Sequence, residues 1–443
     1  MKICAYVQGA YAKQNYANEC MDTRQFVGLR VIIDVLERAG RKVEYAGSAT
    51  VHEYECVLVS LTSDCDWWTF ISERVKWRAG KYKVIVGGAG VLNVRPFLEF
   101  ADYFVLGRGE GVIIPLLDEI ETGNRCGIDS VVRSGEFSEN ASYSIAQAVE
   151  PYPHEIRLSE NRKFKERFIG CNHRCFFCGY TWSRKYIGDG EYKMDDSLFG
   201  GMEDKERAML DMCKDYSRIN FSLLRTTAID GMSERLRYKV NKRISRKHVV
   251  DFFVAAANSK AKPHQIKIYN IVGYPTETES DWQEFLDCIR EADGNFSKRT
   301  QWSILLHCTP FRAMPATPCA TWAMSYKNYR GEVGRVLGKG LKGNLIYQGS
   351  AFWAVEGMGT DSLPSVIKSA IAIRGTEKDS KSVRLLSCSR KYESLSSAEK
   401  TATLENYFDV KALFAEHTSE TLPTKYLRTY CGYLRKYEMK AAQ

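Results

Sequence analysis

The sequence lacks any uninterrupted apolar stretch near the roughly 20 residues that crossing a bilayer requires. Its opening string, MKICAYVQGAYAKQ, holds no long apolar core of the kind an export signal carries. Internal repeats and low-complexity tracts are absent as well, which sets aside solenoids and arrays. Neither sign of charge dominates: 63 Lys and Arg against 54 Asp and Glu leave a formal +9, far from a histone-like density. Such a balance is only a weak pull toward anionic partners. What the chain does have is a 44% apolar composition over 443 residues, enough for real cores and incompatible with wholesale disorder. That length gives a prior of roughly three domains. Fourteen cysteines without an export signal read as reduced thiols and metal ligands rather than a disulfide framework. The expectation is a soluble cytoplasmic enzyme that does not associate with membranes.

The first 125 residues alternate strand and helix patterns. Short β-prone runs fall at Ile3–Val7, Val43–Ala46, Cys56–Leu61, Lys83–Val86 and Tyr103–Leu106. Between the first two, Asp22–Ala39 reads as a helix, capped by Asp22 with Gln25 reaching back and ended by Gly40. Its Phe26, Leu29, Ile32, Ile33 and Leu36 share one face. Strands alternating with helices imply a parallel, doubly wound sheet over 1–125. Glycines 87, 88 and 90, then 107, 109 and 111, follow two of its strands, where such folds bind ligands. Residues 126–160 turn polar and read as a linker or a few irregular strands. Residues 161–325 mix strand runs (Ile219–Leu224, Gln265–Val272, Trp302–Cys308) with helices, and 326–443 reads as mostly helical.

Cys171, Cys175 and Cys178, in the string GCNHRCFFCGY, place three soft thiolate donors within eight residues. Such ligands suit zinc or an iron–sulfur cluster. No fourth cysteine lies close by in sequence. Three ligands leave one iron of a cubane cluster open for chemistry; the alternative is structural zinc completed by His173 or a distant cysteine.

The Cys-x3-Cys-x2-Cys spacing, with Phe177 just before the third cysteine, resembles the signature of radical S-adenosylmethionine enzymes. Two further strings are similar to members of that superfamily with an N-terminal cobalamin-binding-like domain: IDGMSERLRYKVNKRIS (229–245) and IKIYNIVGYPTETESDW (266–282). The order and distances of the three strings are also family-like, and the resemblance covers about 1–320. It implies a Rossmann-like first domain, a partial (β/α) barrel, and a 4Fe-4S cluster on Cys171, Cys175 and Cys178 whose open iron chelates S-adenosylmethionine. Cleavage of that cofactor yields a 5′-deoxyadenosyl radical, with a flavodoxin- or ferredoxin-like reductant as electron donor. It further implies Phe177, Ser233, Glu234, Arg235, Ile271, Gly273 and Glu277 as residues at the cofactor. Four of them have an ordinary structural alternative: Glu234 and Arg235 as an ion pair, Glu277 as a helix cap, Phe177 as a loop anchor.

The Asp-x-His-x-x-Gly string that supplies a lower-axial histidine to cobalamin does not follow the first strand, which leaves cobalamin an open question. Residues 235–248 hold seven Lys or Arg and no acid, a stripe that either tracks phosphates or is a solvated helix start. Tyr426, Tyr430, Tyr433 and Tyr437 at helical spacing either pack a terminal helix or stack bases, as do Trp67 and Trp68. The turn-rich segment 309–318 either frames a substrate opening, with Arg312 as an anion contact, or is a rigid connector. With a faint resemblance to phage-encoded radical enzymes of DNA base hypermodification, these features favour modification or rearrangement of a nucleobase, nucleotide or nucleic acid. The alternatives are cobalamin-dependent methyl transfer to a metabolite or peptide, and a non-catalytic, zinc-stabilised nucleic-acid-binding protein.

Overall fold

The computed structural model describes residues 1–6, 27–62, 66–138, 143–159, 162–166, 169–171, 173–187, 208–211, 221, 224–258, 265–294, 302–314, 317–319, 322, 324–325, 351–356 and 414–416. The expected Asp22 cap, the segment after the first strand and the tyrosine-bearing stretch 426–437 lie outside these residues. So does most of the strand expected over 219–224.

The first five β-prone runs form strands within about one residue of their expected bounds: β1 (Ile3–Tyr6), β2 (Val43–Ala46), β3 (Cys56–Ser60), β4 (Lys83–Gly87) and β5 (Tyr103–Val105). They pair in parallel, and β6 (Val131–Arg133), from the segment read as a linker, adds an antiparallel edge. The order β2-β1-β3-β4-β5-β6 reverses direction at β1. Alternating residues sort to opposite faces. Cys4, Tyr6, Val57, Val59, Val84 and Val86 pack on one side with Trp67, Phe70 and Ile71 of α2 (Asp66–Arg74). Ile3, Ala5, Cys56, Leu58 and Ile85 pack on the other with α1 (Val27–Arg38) and α3 (Ile113–Thr122). Helices on both faces make this sheet doubly wound, as expected. Trp67 is fully buried, stacks on Phe97 at 4.0 Å and donates Nε1–H to the Gly90 carbonyl, so it is core rather than a platform for bases.

Two of the strand-end glycines are explained by the chain's own packing. Gly88 (φ +106°) would bring a Cβ within 2.3 Å of the Leu61 carbonyl oxygen, and Gly107 (φ +90°) within 2.4 Å of that of Ala146. Both need the left-handed region and the missing side chain.

A short antiparallel pair, β7 (Ile156–Ser159) and β8 (Arg162–Phe164), leads into the cysteine loop and the single turn α4 (Gly179–Trp182). Then comes a second sheet: β9 (Ala208–Asp211), β10 (Leu224–Ala228), β11 (Gln265–Val272) and β12 (Trp302–Pro310). After β13 (Met324–Ser325), which pairs with β15 (Phe414–Glu416), β14 (Ala351–Glu356) completes it on the far side of β12. The order β14-β12-β11-β10-β9, all parallel, keeps sequential strands adjacent, as in a barrel wall rather than a doubly wound sheet. The stretch expected to be mostly helical thus contributes a strand to this wall; AFWAVE is apolar and aromatic enough to be one. Helices α5 (Glu234–Lys239), α6 (Arg246–Asn258) and α7 (Glu279–Gly294) connect and flank the strands. Along β11, Ile268, Asn270 and Val272 are buried while Tyr269 and Ile271 are half-buried, so one face of the wall is closed and the other more open. Among the described residues, no helix is long and apolar enough to cross a membrane.

Candidate active site around the cysteine loop

The loop carrying the three cysteines is held mainly through its backbone. It opens at Gly170 (φ +73°) beside an Ile169–Ile187 bridge, and it turns through Arg174 in the left-handed region (φ +51°). The Cys178 N–H donates to the Cys175 carbonyl at 3.1 Å, Thr181 Oγ1 donates to the Cys171 carbonyl at 2.8 Å, and Trp182 Nε1 donates to the Cys175 carbonyl at 2.9 Å. None of the three cysteines forms a disulfide; Cys175 is buried and the other two are intermediate. Burial pushes the Cys178 thiol up against the pull of the Thr181 and Tyr180 N–H groups, and nearby Cys171 and Asp230 add to the rise.

The second similar string docks on this loop. Ser233 is the N-cap of α5, accepting from the Leu236 N–H, and the helix closes with a Schellman motif. The Asn241 N–H bonds the Tyr238 carbonyl and the Lys242 N–H bonds that of Arg237. Asn241 sits at the left-handed position (φ +57°) that asparagine tolerates better than most residues. Its side-chain Nδ2 donates to the Arg174 carbonyl at 2.9 Å and the His173 carbonyl at 3.4 Å, while the Phe176 N–H donates to the Val240 carbonyl. Beneath it Lys242 pairs with Asp230 at 3.0 Å, both largely buried, and Asp230 is itself left-handed (φ +51°). Arg237, wholly buried, ties the Gly231, Met232 and Ile244 carbonyls together. Sequence reasoning singled out neither Asn241 nor Asp230 as a site residue. An Asn just past a short helix, where a left-handed cap is needed, was the available signal.

The residues expected at the cofactor divide into two sets. Ser233, Glu234, Arg235 and Glu277 are engaged in tertiary bonds. Ser233 Oγ donates to Asp281 Oδ1 at 2.5 Å, Arg235 pairs with Asp281 at 2.6 Å, and Glu234 Oε2 accepts the Arg246 N–H at 2.6 Å. Glu234 and Arg235 therefore belong to separate contacts rather than one ion pair. Burial opposes ionisation of Asp281, yet the bonds from Ser233, Arg235 and Thr278 hold its carboxyl below the usual range. Glu277 accepts from the Gly273 and Tyr274 N–H groups and from Trp282 Nε1, locking the turn after β11 onto α7. Burial pushes its carboxyl up to about 7 against those three donors.

Phe177, Ile271 and Gly273 form the second set. Phe177 and Ile271 are half-buried against the main core, and Phe177 lies 6.5 Å from Tyr274. Tyr274 meets Phe311 at 5.0 Å, and Phe311 meets Trp322 at 6.0 Å. Gly273 is left-handed (φ +83°). Phe176 and Phe177 of the cysteine loop, Ile271 of β11 and Trp322 pack against one core that includes Tyr274 and Phe311, and the Cys319 N–H bonds the Phe176 carbonyl.

The donor chemistry fits a soft metal: three cysteines outside any disulfide on one loop. Among the described residues, however, no group of three or more His, Cys, Asp and Glu side chains is already gathered at ligating distance. The loop backbone is fixed, but the sulfurs are not assembled into a cage.

Of the seven cations of 235–248, two are buried and most of the others have a partner at the surface. Arg237 and Lys242 are buried, Arg235, Arg246 and Lys247 pair with Asp281, Glu291 and Asp251, and Lys239 bonds Thr276 and lies over Trp322. Arg235, Lys239, Arg243 and Lys247 stay exposed, so the stripe keeps a cationic surface while Arg237 and Lys242 serve the fold.

No family model matches the chain, and no curated protein matches it. Among solved structures it is similar to the cobalamin-dependent S-adenosylmethionine radical enzyme OxsB. The form with aqua-cobalamin and S-adenosylmethionine bound is 11% identical at a TM-score of 0.27, and the apo, selenomethionine-labelled form is 11% identical at 0.26. The form with aqua-cobalamin alone is 10% identical at 0.27. Each comparison covers 99% of this chain and 61% of the other, so the chain spans about 61% of the length of that OxsB chain. Scores this low carry no argument about this chain's chemistry.

Proposed function

We propose that this protein is a radical S-adenosylmethionine enzyme, with Cys171, Cys175 and Cys178 as the ligands of a 4Fe-4S cluster. The observation that supports it is the loop itself: three cysteines outside any disulfide, on a backbone that Asn241 and Val240 clamp, next to a barrel-like parallel wall. When bound, the cluster and S-adenosylmethionine together supply a carbon radical able to take hydrogen from an unactivated position. The chain's own residues orient and shield. Phe177 and Ile271 offer apolar surface for an adenosyl group, and Gly273 leaves room for close approach. Ser233, Arg235 and Glu277 act one step back, by fixing the turns that carry those surfaces. The aromatic row from Phe177 to Trp322 keeps water from the reacting atoms.

The substrate reading is a nucleotide or nucleobase, with a flavodoxin- or ferredoxin-like protein as electron donor. A gel-shift series in rising salt tests the nucleic-acid form of it; no binding at low ionic strength counts against it. Cobalamin finds less support. Among the described residues, the walls at the carboxyl edge of the first sheet carry no histidine to serve as a lower axial ligand. Cobalamin-dependent methyl transfer is therefore kept as the second reading, and anaerobic reconstitution with cobalamin followed by a visible spectrum tests it.

Anaerobic purification with iron and sulfide analysis tests the assignment directly. The expected result is about four of each per chain, with 5′-deoxyadenosine formed on adding reductant and S-adenosylmethionine. Cys175→Ala is expected to abolish both. One tightly held zinc per chain and no iron would refute the reading in favour of a structural metal.

A further inference from the structure

A cavity of about 340 Å³ opens at the carboxyl edges of β3, β4 and β5, between the first sheet and the turn that follows Cys178. It sits at the lower end of the roughly 300–1,000 Å³ typical of small-molecule sites. Its walls are mainly apolar, with Ile32, Leu58 and Val59 among them, and Tyr180, 36% exposed, presents a ring there.

Four charged side chains meet at this cavity: Arg108, Glu110, Glu166 and Arg184. Arg108 takes both carboxylates. Its two terminal nitrogens bond the two Glu166 oxygens at 2.7 Å each, and Nη2 also pairs with Glu110. Glu166 is further held by the Tyr152 N–H at 2.7 Å. Arg184 is left with little: a 3.4 Å bond to Ser183 Oγ and a stack over the Tyr180 ring at 4.4 Å, with no ion pair among the described residues. The Arg108 Nε–H is enclosed and has no partner. Burial depresses the Arg184 guanidinium, with Arg108 acting in the same direction against Tyr180, Glu110 and Glu166. A partly buried guanidinium short of acceptors is costly, and a carboxylate or phosphate is the group its planar fork fits best.

We infer that this cavity binds a compact organic anion, its carboxylate or phosphate held by Arg184 and its apolar body lying against Ile32, Leu58 and the Tyr180 ring. The site uses none of the three loop cysteines and stands whether or not they carry a cluster.

Calorimetric titration of the full-length protein with 2-naphthoate, and with neutral 2-naphthalenemethanol as its uncharged counterpart, tests this. The expected result is one naphthoate per chain, bound at least about tenfold more tightly than the alcohol. Arg184→Met is expected to lower naphthoate affinity by a similar factor while leaving the alcohol unchanged, and Arg184→Lys to recover part of the loss. A thermal melt matching wild type keeps the Arg184→Met result interpretable. Should that variant melt early, inorganic phosphate competing with naphthoate on the wild type reads the same anion site. Equal binding of acid and alcohol, unchanged affinity in a folded Arg184→Met, or no binding of naphthoate overturns the inference. So does stoichiometric uptake of aqua-cobalamin that displaces naphthoate, because the cavity would then belong to a corrin.

Discussion

Asn241 joins two independent demands, and substitutions can separate them. Its backbone occupies the left-handed Schellman position at φ +57°, and its side chain donates to the Arg174 and His173 carbonyls at 2.9 and 3.4 Å. Replacement by glycine removes the side-chain bonds but keeps the backbone unstrained, a loss of about 1 kcal/mol for one good neutral bond and one long one. Alanine loses the same bonds and adds about 1–2 kcal/mol of left-handed strain. The expected order of loop stability is therefore wild type, Asn241→Gly, Asn241→Ala, with the last two separated by roughly 5–30-fold in an equilibrium constant. Iron retained after anaerobic gel filtration reads this out, with urea denaturation of the metal-free protein reporting the change in fold stability separately. Equal behaviour of the glycine and alanine variants would refute the strain argument. Wild-type iron retention by both would show that Asn241 does not hold the cysteine loop.

Two pH predictions follow from buried carboxyls. Glu277 has a folded pKa of about 7, above its ordinary 4.5, so the folded state keeps a proton that the unfolded chain loses. Stability from this group is full below pH 4.5 and declines as pH rises through 7, by at most about 3 kcal/mol. Glu277→Gln mimics the protonated form and is expected to flatten that slope in urea midpoints taken from pH 5 to pH 8; a slope of opposite sign means the three N–H donors outweigh burial. Glu119 is the reverse case. Bonds from Arg133 at 2.6 Å lead in holding it at about 2, against burial and with help from the Cys126 N–H. Its contribution is present above 4.5 and lost as pH falls through 2. Arg133→Met strands a buried carboxylate and is expected to cost about 3–5 kcal/mol at neutral pH. That gap should shrink in acid, and a pH-independent gap would assign the loss to packing instead.

The doubly wound sheet was legible in the chain because its evidence is local. Strands such as Cys56–Ser60 are short apolar runs with glycine or helix signals after them, and period and composition suffice to find these. The three cysteines were legible for the same reason, lying within eight residues. Gln265–Val272 emerged with its expected bounds. The polar partners were another matter. Ser233, Glu234 and Arg235 are contiguous, so sequence reading treated them as one constellation, yet Ser233 and Arg235 turn to Asp281 and Glu234 turns to the backbone of Arg246. The cationic run 235–248 read as one stripe, and only folding brought Asp230, Asp281 and Glu291 to three of its members. Local pattern thus determined the strands of the first sheet and where soft ligands cluster, but not β6 or β14, which arose in stretches read as linker and helix. The tertiary structure alone decided what each charge faces, because a charge's partner depends on distance in space, and residues some fifty positions apart become neighbours only when the sheets and helices close.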